Sequence, residues 1–212
     1  MQITIDFVGD YICPWCYLGL VSFERAKALI SDIEIVTRIR PYLLNPEIPP
    51  GGLDRAQYIE QKFPDKARQA AISEALKQTA AEIHAPAPVL TAPKRLPDTA
   101  KMHAIVQVAH VFSVQEETAA LFYSRYWIDG DDLDQDDVLV DIAEAAGVPL
   151  PETKAALNDA SLIAACRADS EAIHRAGVKQ APTFIVNEKV GFPGVLSPDK
   201  LSAAIQQAAE AA

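Results

Sequence analysis

Apolar and polar residues alternate near both ends of the chain, whereas helical spacing dominates its middle. Residues 2–8 alternate and predict a buried strand, and residues 33–44 alternate through much of their length and predict a second strand. Apolar positions at Leu18, Val21 and Leu29 share one face of a predicted helix between these strands. Because strand–helix–strand units cross over right-handed, we expect the two strands to be parallel.

A loop rich in proline and glycine, residues 45–52, separates this first unit from a long helical region. From Asp54 to about Asn158, apolar residues recur at three- and four-residue spacing, which predicts an all-helical insertion of four or five helices. Gly147 followed by Pro149 predicts the end of the last of these helices.

Strand patterns return after the insertion. Residues 161–176 predict a helix capped by Gly177, and residues 182–187 predict a strand. Glu188 and Lys189 predict a tight turn into a short strand, before a last helix that begins near Pro198. The predicted class is α/β, with residues 1–45 and 161–212 forming one domain and residues 46–160 inserted into it.

Charge and targeting signals narrow the function classes. The 212 residues carry a formal net charge of −10, which argues against nucleic acid or an anionic membrane as a partner. No signal segment is evident, and no apolar run approaches the roughly 20 residues of a membrane span. We therefore expect a cytoplasmic protein. In that compartment a Cys-x-x-Cys pair is more often catalytic or metal-binding than structural.

The sequence Cys13-Pro14-Trp15-Cys16 lies between the first predicted strand and the first predicted helix. Pro14 suits the first helical position, which places Cys13 at the positive end of the helix dipole. Both features favour a thiolate, so Cys13 is the predicted nucleophile. Cys16, one turn later on the same face, is predicted to attack a mixed disulfide at Cys13 and release the product.

Two structural interpretations of the cysteines compete with this one. A zinc site needs two further ligands, usually a close pair, but Cys166 and the four histidines supply no such pair, so we expect no metal. Two inert core thiols remain the other alternative. Cys166 itself falls on an apolar helix face and is predicted to be buried and inert.

Ala181-Pro182 is a second candidate wall of the site. A proline that opens a strand pairs only at an edge or in a special geometry. From the residues alone an ordinary trans bond is favoured. A cis bond placed against Cys13 would leave the backbone of Ala181 free to pair with an extended substrate.

Aromatic and histidine side chains extend the candidate site. An apolar rim around Cys13 is one interpretation of five aromatic residues, and burial in the core is the other: Tyr11, Trp15, Tyr17, Trp127 and Phe192. His103 and His110 share a helix face opposite the apolar one. That face meets either solvent or the cleft, and in the second case His103 would influence Cys13.

Three segments resemble the FrnE-like branch of the DsbA family, in the same order and over essentially the whole chain. They are Asp10–Gly19, which contains Cys-Pro-Trp-Cys, Arg40–Gly52, and Ala181–Phe184. The resemblance implies a thioredoxin fold with a large helical insertion and thiol–disulfide oxidoreductase or isomerase activity. It also implies a cis bond before Pro182. The predicted catalytic residues are Cys13 and Cys16, and the predicted substrate-binding residues are Tyr11, Pro14, Trp15, His103, Ala181 and Pro182.

Departures from the family pattern keep alternatives open. Where relatives often carry Asn-Thr and Ala-His-Arg, this chain has Asp98-Thr99 and Met102-His103-Ala104. The related kappa-class glutathione transferases and 2-hydroxychromene-2-carboxylate isomerases share the layout, but they typically carry serine at the nucleophile position and use glutathione. Cys13 argues against that chemistry. A redox-sensing or chaperone-like binding module is a third, non-catalytic alternative.

The expected partners follow from this resemblance. They are a thiol or disulfide substrate protein, or glutathione as a co-substrate, without another cofactor. A homodimer is left open.

Overall fold

The computed structural model describes residues 1–210, and its central sheet is built from the two ends of the chain. Its first elements are β1 (Gln2–Gly9), α1 (Pro14–Ala28) and β2 (Glu34–Pro41), and its last are β5 (Thr183–Val186), β6 (Val190–Pro193) and α9 (Pro198–Glu210). The strand order is β2-β1-β5-β6. β1 and β2 are parallel, and the other pairs are antiparallel. The predicted α/β class and thioredoxin fold are confirmed.

The alternation along β1 places its side chains on two faces of the sheet. Ile3, Ile5 and Phe7 belong to the main core, where α1 and α9 pack on each other. Val8 packs with Ile173 of the helix that covers the opposite face. The period-two pattern therefore sets both layers of this half of the molecule.

The middle of the chain supplies the remaining elements. In order they are β3 (Leu53–Asp54), α2 (Arg55–Lys62), α3 (Lys66–Glu82), β4 (Arg95–Leu96), α4 (Ala100–Val111), α5 (Gln115–Ser124), a π-helical turn (Arg125–Asp129), α6 (Asp136–Ala146), α7 (Leu150–Asn158) and α8 (Ala160–Arg175).

Residues 54–158 therefore hold six α-helices, and the expected count of four or five is wrong. One extra break falls at Pro64, which separates α2 from α3, and Pro149 caps α7 directly after Gly147 ends α6. The region is also not purely helical, because β3 and β4 pair as a short antiparallel ribbon.

Two glutamines join the helical region to the edge strand β2. Gln115 accepts a hydrogen bond from the Ile39 N–H at 3.0 Å, and Gln107 donates one to the Ile39 carbonyl at 3.0 Å. These amides take the place of a neighbouring strand, so this edge of the sheet is covered.

The insertion is built around α4, whose residues Met102, Ala104, Ile105 and Val106 are fully buried. Such a helix is apolar almost all round, as expected for one enclosed by its neighbours. Within residues 1–210, none of the helices has the length and apolar character that crossing a membrane requires.

Candidate active site

Cys13 lies between the end of β1 and the start of α1. It is the N-cap residue of α1 with extended backbone angles, and Pro14 occupies the first turn, as predicted. The Cys13 N–H donates to the Asp10 carbonyl at 3.0 Å, which closes a four-residue turn, and the Cys13 carbonyl accepts from the Cys16 N–H at 3.1 Å. We call residues Asp10–Cys16 the redox turn. Its thiol at Cys13 is 6 % exposed and lies at the positive end of a 15-residue helix.

Cys16 lies deeper than Cys13, as predicted, and is fully buried. A side-chain carbon placed on Gly9 would lie 3.3 Å from the Cys16 sulfur and 2.9 Å from the Tyr123 hydroxyl, so the sulfur packs closely against the end of β1. Burial, followed by the hydrogen bond with the Cys13 thiol, raises the pKa of Cys16 well above its usual value. The two cysteines therefore differ in their environment, and only Cys13 lies toward the surface.

Ala181 and Pro182 form the second wall. The Ala181–Pro182 bond is cis, as the resemblance implies and as the residues alone do not favour. The Cys13 thiol lies 3.7 Å from the Ala181 carbonyl oxygen, to which it donates. Pro182 is buried against α1, where a side-chain carbon on Gly19 would lie 2.7 Å from its ring. Glycine at position 19 is what allows this strand to approach the helix so closely.

Asp10, the first residue of the redox turn, has a fully buried carboxylate. Its Oδ2 accepts from the Leu44 N–H at 2.7 Å. The Thr99 hydroxyl and the backbone N–H groups of Tyr11 and Ile12 also interact with the carboxylate and, against the effect of burial, lower its pKa. None of the ion pairs formed by the described residues includes it. Burial raises the pKa of Asp10 to about 6, and the Leu44 N–H opposes this shift. The negative charge of the Asp10 carboxylate is one of the smaller causes that raise the pKa of Cys16.

Tyr11 does not form part of a rim, and that interpretation is corrected. Its side chain is 1 % exposed and points into the insertion, where its ring contacts His103, Phe122 and Tyr123 at centroid distances of 4.8, 5.4 and 4.9 Å. The Trp127 indole N–H donates to the Tyr11 carbonyl at 3.0 Å. The Tyr11 ring therefore lies on the side of the redox turn that faces the insertion, and its contacts with three other rings explain its burial.

His103 is buried as well, so the interpretation that it faces solvent is wrong, while His110 on the same helix is exposed. Within residues 1–210, neither ring nitrogen of His103 has a hydrogen-bond partner. Burial lowers the pKa of His103 to about 3, which leaves the ring neutral at pH 7. Its position behind Tyr11 does not favour direct contact with a substrate. An influence on Cys13 stays a prediction.

The remaining aromatic residues divide between surface and core. Pro14, Trp15 and Phe192 are partly exposed, so Trp15 is the aromatic side chain of the Cys-Pro-Trp-Cys sequence that a substrate can reach. Tyr17 and Trp127 are buried in the core. Substrate contacts at Pro14, Trp15, Ala181 and Pro182 stay predictions.

The third cysteine lies apart from this pair. All three cysteines are free thiols within the described residues, and Cys166 is buried on α8. Burial raises the pKa of Cys166 to about 11, which agrees with the predicted inert thiol. Across residues 1–210, no three His, Cys, Asp or Glu side chains are grouped as a metal site would need.

Sequence reasoning missed the roles of two residues of the site and misplaced a third. Asp10 had a usable signal, because an acidic residue directly follows the buried strand and precedes the cysteine motif. Gly19 had a weaker one, a glycine inside a helical pattern. Trp127 was considered for a rim around Cys13, but nothing in the sequence indicated its bond to Tyr11, which lies 116 positions away in the chain.

Comparisons with known proteins agree with this geometry. The uncharacterized protein YwbO of Bacillus subtilis (strain 168) is 24% identical over 206 residues, which cover 97% of this chain and 96% of that protein. The solved structure of a probable DsbA oxidoreductase from Streptomyces coelicolor is 25% identical, with a TM-score of 0.83, and covers 97% of this chain and 89% of its own. The cytosolic disulfide reductase DsbM from Pseudomonas aeruginosa, solved with GSH, shares the fold at 15% identity, with a TM-score of 0.64 and coverage of 98% and 99%.

The family model that describes DSBA-like thioredoxin domains matches residues 4–206, nearly the whole chain and all of the redox turn. The protein therefore belongs to the family of DSBA-like thioredoxin domains, whose members include thiol–disulfide oxidoreductases.

Proposed function

We propose that this protein is a thiol–disulfide oxidoreductase that works through Cys13 and Cys16. The observation that carries the proposal is the position of the Cys13 thiol, at the N-terminus of α1 and 3.7 Å from the Ala181 carbonyl. A helix N-terminus favours the thiolate, and the neighbouring strand end offers backbone groups to an extended substrate. Membership of the family supports the same chemistry.

The reaction runs in two exchanges. The Cys13 thiolate attacks one sulfur of a substrate disulfide, the new Cys13–substrate bond forms, and the other substrate sulfur leaves as a thiolate. The Cys16 thiolate then attacks the Cys13 sulfur, which closes the Cys13–Cys16 disulfide and releases the second substrate sulfur. Two electrons pass from the dithiol to the substrate, and the reverse sequence oxidises a substrate dithiol.

The second exchange needs a base, because burial keeps Cys16 protonated. Asp10 fits this role in the proposal. With a pKa of about 6 it is mostly ionised at pH 7, it is fully buried, and its charge acts on the Cys16 thiol. The Cys16 proton passes to the Asp10 carboxylate as the Cys16 sulfur attacks Cys13.

The substrate in this proposal is a protein disulfide or a small thiol such as glutathione, and the site of action is the cytoplasm. The partly exposed Trp15 next to Cys13 suits an apolar or peptide substrate. The similarity in fold to a cytosolic disulfide reductase that was solved with GSH supports testing glutathione first.

Insulin reduction and refolding of a scrambled disulfide protein test the proposal. We expect Cys13→Ser to abolish both activities. Cys16→Ser should instead trap a Cys13–substrate mixed disulfide, visible by mass spectrometry. Cys166→Ser is the matched control, since it removes a buried thiol outside the redox turn, and its activity should equal that of the wild type.

Two outcomes would reject the proposal. If Cys13→Ser and Cys16→Ser both keep wild-type activity, thiol–disulfide exchange at this pair is wrong. If the protein binds glutathione and turns over an aromatic electrophile equally well after Cys16→Ser, a glutathione-dependent transferase or isomerase replaces it.

A further inference from the structure

The chain leaves regular helix geometry at one turn of the insertion. After α5 ends at Ser124, residues Arg125–Asp129 form a π-helical turn that stops at Gly130 in the left-handed conformation (φ +79°). Such turns are rare and occur often at functional sites. Tyr126 and Trp127, consecutive in this turn, are both 1 % exposed. The turn therefore directs two neighbouring aromatic side chains into the interior.

The surroundings hold this turn tightly. The Val89 N–H donates to the Trp127 carbonyl at 2.8 Å, and a side-chain carbon on Gly130 would lie 2.8 Å from the Ala92 carbonyl oxygen. The Arg55 guanidinium lies 5.2 Å from the centre of the Trp127 ring and donates to the Leu90 carbonyl. The Trp127 backbone is thus held by a hydrogen bond from Val89, and its ring is held by the cation of Arg55.

The indole N–H of Trp127 contacts the redox turn. It donates to the Tyr11 carbonyl at 3.0 Å, in a fully buried contact. Tyr11 lies within the turn that the Cys13 N–H and the Asp10 carbonyl close. This hydrogen bond therefore connects the insertion to the backbone two residues before Cys13.

The other contacts to Tyr11 are less directional. Its ring packs on His103, Phe122 and Tyr123, but within residues 1–210 its hydroxyl and both His103 nitrogens lack hydrogen-bond partners. Ring packing tolerates small sliding and rotation, whereas a buried N–H···O bond fixes distance and angle. The Trp127 bond is thus the contact from the insertion that orients this peptide.

We propose that Trp127 is a positioning residue for thiol–disulfide exchange, which the π-helical turn holds against the Tyr11 carbonyl so that Cys13 stays at the N-terminus of α1 and beside Ala181. This inference rests on the proposed function of the Cys13–Cys16 pair. Trp127 acts through Tyr11 and touches no reacting atom. A displacement of about 1 Å at a reacting group can lower a rate by about 100-fold, so loss of this bond has a measurable effect.

The test uses the full-length protein with two replacements at Trp127. Trp127→Phe removes the indole N–H and some volume, and β-(3-benzothienyl)alanine at position 127 removes the N–H while keeping the shape. Thr153→Val is the matched control, because it also removes a fully buried donor from the insertion, where the Thr153 hydroxyl donates to the Pro149 carbonyl at 3.3 Å.

The rate of reduction by glutathione and the equilibrium constant with glutathione are measured for each form. We expect both Trp127 variants to lose about 10-fold or more in rate and to shift the equilibrium constant, with unchanged far-UV circular dichroism. Thr153→Val should stay within about 2-fold of the wild type. An isostere with wild-type rate and equilibrium constant overturns the inference. A wild-type protein that exchanges no disulfides overturns the proposed function instead.

A measurement on the wild type covers the case in which the variants do not fold. The chain has two tryptophans, so the indole N–H signal of Trp127 can be assigned by its persistence in Trp15→Phe. We expect this N–H to stay protected from hydrogen exchange in both redox states, because the buried bond to the Tyr11 carbonyl is kept throughout the reaction. An indole N–H that exchanges as fast as that of free tryptophan in either redox state would contradict the inference.

Discussion

Two buried aspartates at the two ends of one short segment, Asp6 and Asp10, have opposite surroundings. Asp6 lies within β1 and pairs with Arg38 and Arg40, at 2.5 and 3.2 Å. Those arginines also pair with Glu188 and Asp169, so the network joins β2, β1, α8 and the β5–β6 turn. Asp10, four residues later, is just as buried but has no cation among the described residues.

The difference shows that burial has one consequence for a carboxylate that pairs with cations and another for a carboxylate that does not. The buried carboxylate of Asp6 ties three elements together through its two arginines, whose guanidinium groups replace the water it has lost. An unpaired buried carboxylate holds its proton more tightly, which is why burial brings the pKa of Asp10 to about 6. The same residue type therefore forms an ion-pair network at Asp6, and at Asp10 it gives a carboxyl group whose pKa of about 6 lies near neutral pH.

The largest expected effect is at Asp6. Asp6→Asn removes the carboxylate that accepts hydrogen bonds from both Arg38 and Arg40, so we expect the free energy of unfolding to fall by about 3 kcal/mol. Urea denaturation at pH 7 measures it. Disulfide exchange by the folded fraction should be unchanged, and a loss of exchange without a loss of stability would break the contrast.

Asp10→Asn should change stability in the opposite direction. In the folded protein Asp10 binds its proton more tightly than in the unfolded chain, so the stability it contributes is complete below about pH 4 and is lost as the pH rises through about 6. The shift of roughly two pKa units corresponds to about 2 to 3 kcal/mol.

We therefore expect Asp10→Asn to exceed the wild type in stability at pH 8 by about that amount, and to lack its decline between pH 4 and 6. Urea denaturation of the reduced protein across this range tests it, with Asp6→Asn as the comparison. Parallel curves for the wild type and Asp10→Asn would mean that Asp10 is not the titrating group.

The gain in stability at Asp10 should come with a loss in rate. Without a carboxylate to take the Cys16 proton, release of substrate from the mixed disulfide should slow by about 10-fold at pH 7. Single-turnover release of a peptide preloaded on Cys13 measures this step. The formation of the mixed disulfide serves as the internal control, because it uses Cys13 alone and should change less. Equal slowing of both steps would contradict the role of Asp10.

The smallest effect is expected at the surface end of the Asp6 network. Glu188 is 70% exposed and pairs with Arg38 at 2.8 Å. Because exposed ion pairs contribute little, Glu188→Gln should lower the free energy of unfolding by about 0.5 kcal/mol or less. A loss near that of Asp6→Asn would show that the network acts as one unit and not through its buried carboxylate.

The sequence alone determined most of the elements and the place of the Cys-x-x-Cys segment between β1 and α1. Alternation in β1 predicted its two faces, and Pro14 after Cys13 predicted the start of α1, because both depend on neighbours within a few residues. The resemblance of three segments to the DsbA family then implied the thioredoxin fold. Local patterns were less reliable inside the insertion, where short helices divided by prolines raised the count to six.

Only the tertiary structure decided which side chains surround the redox turn. Tyr11 and His103 are both buried with their rings in contact, and Tyr11 also packs on Phe122 and Tyr123 of α5. The hydrogen bond from Trp127 to Tyr11 and the missing counterion of Asp10 depend on segments far apart in the chain. Burial is a property of the whole packing, so the pKa of a buried carboxylate cannot be read from its neighbours in sequence.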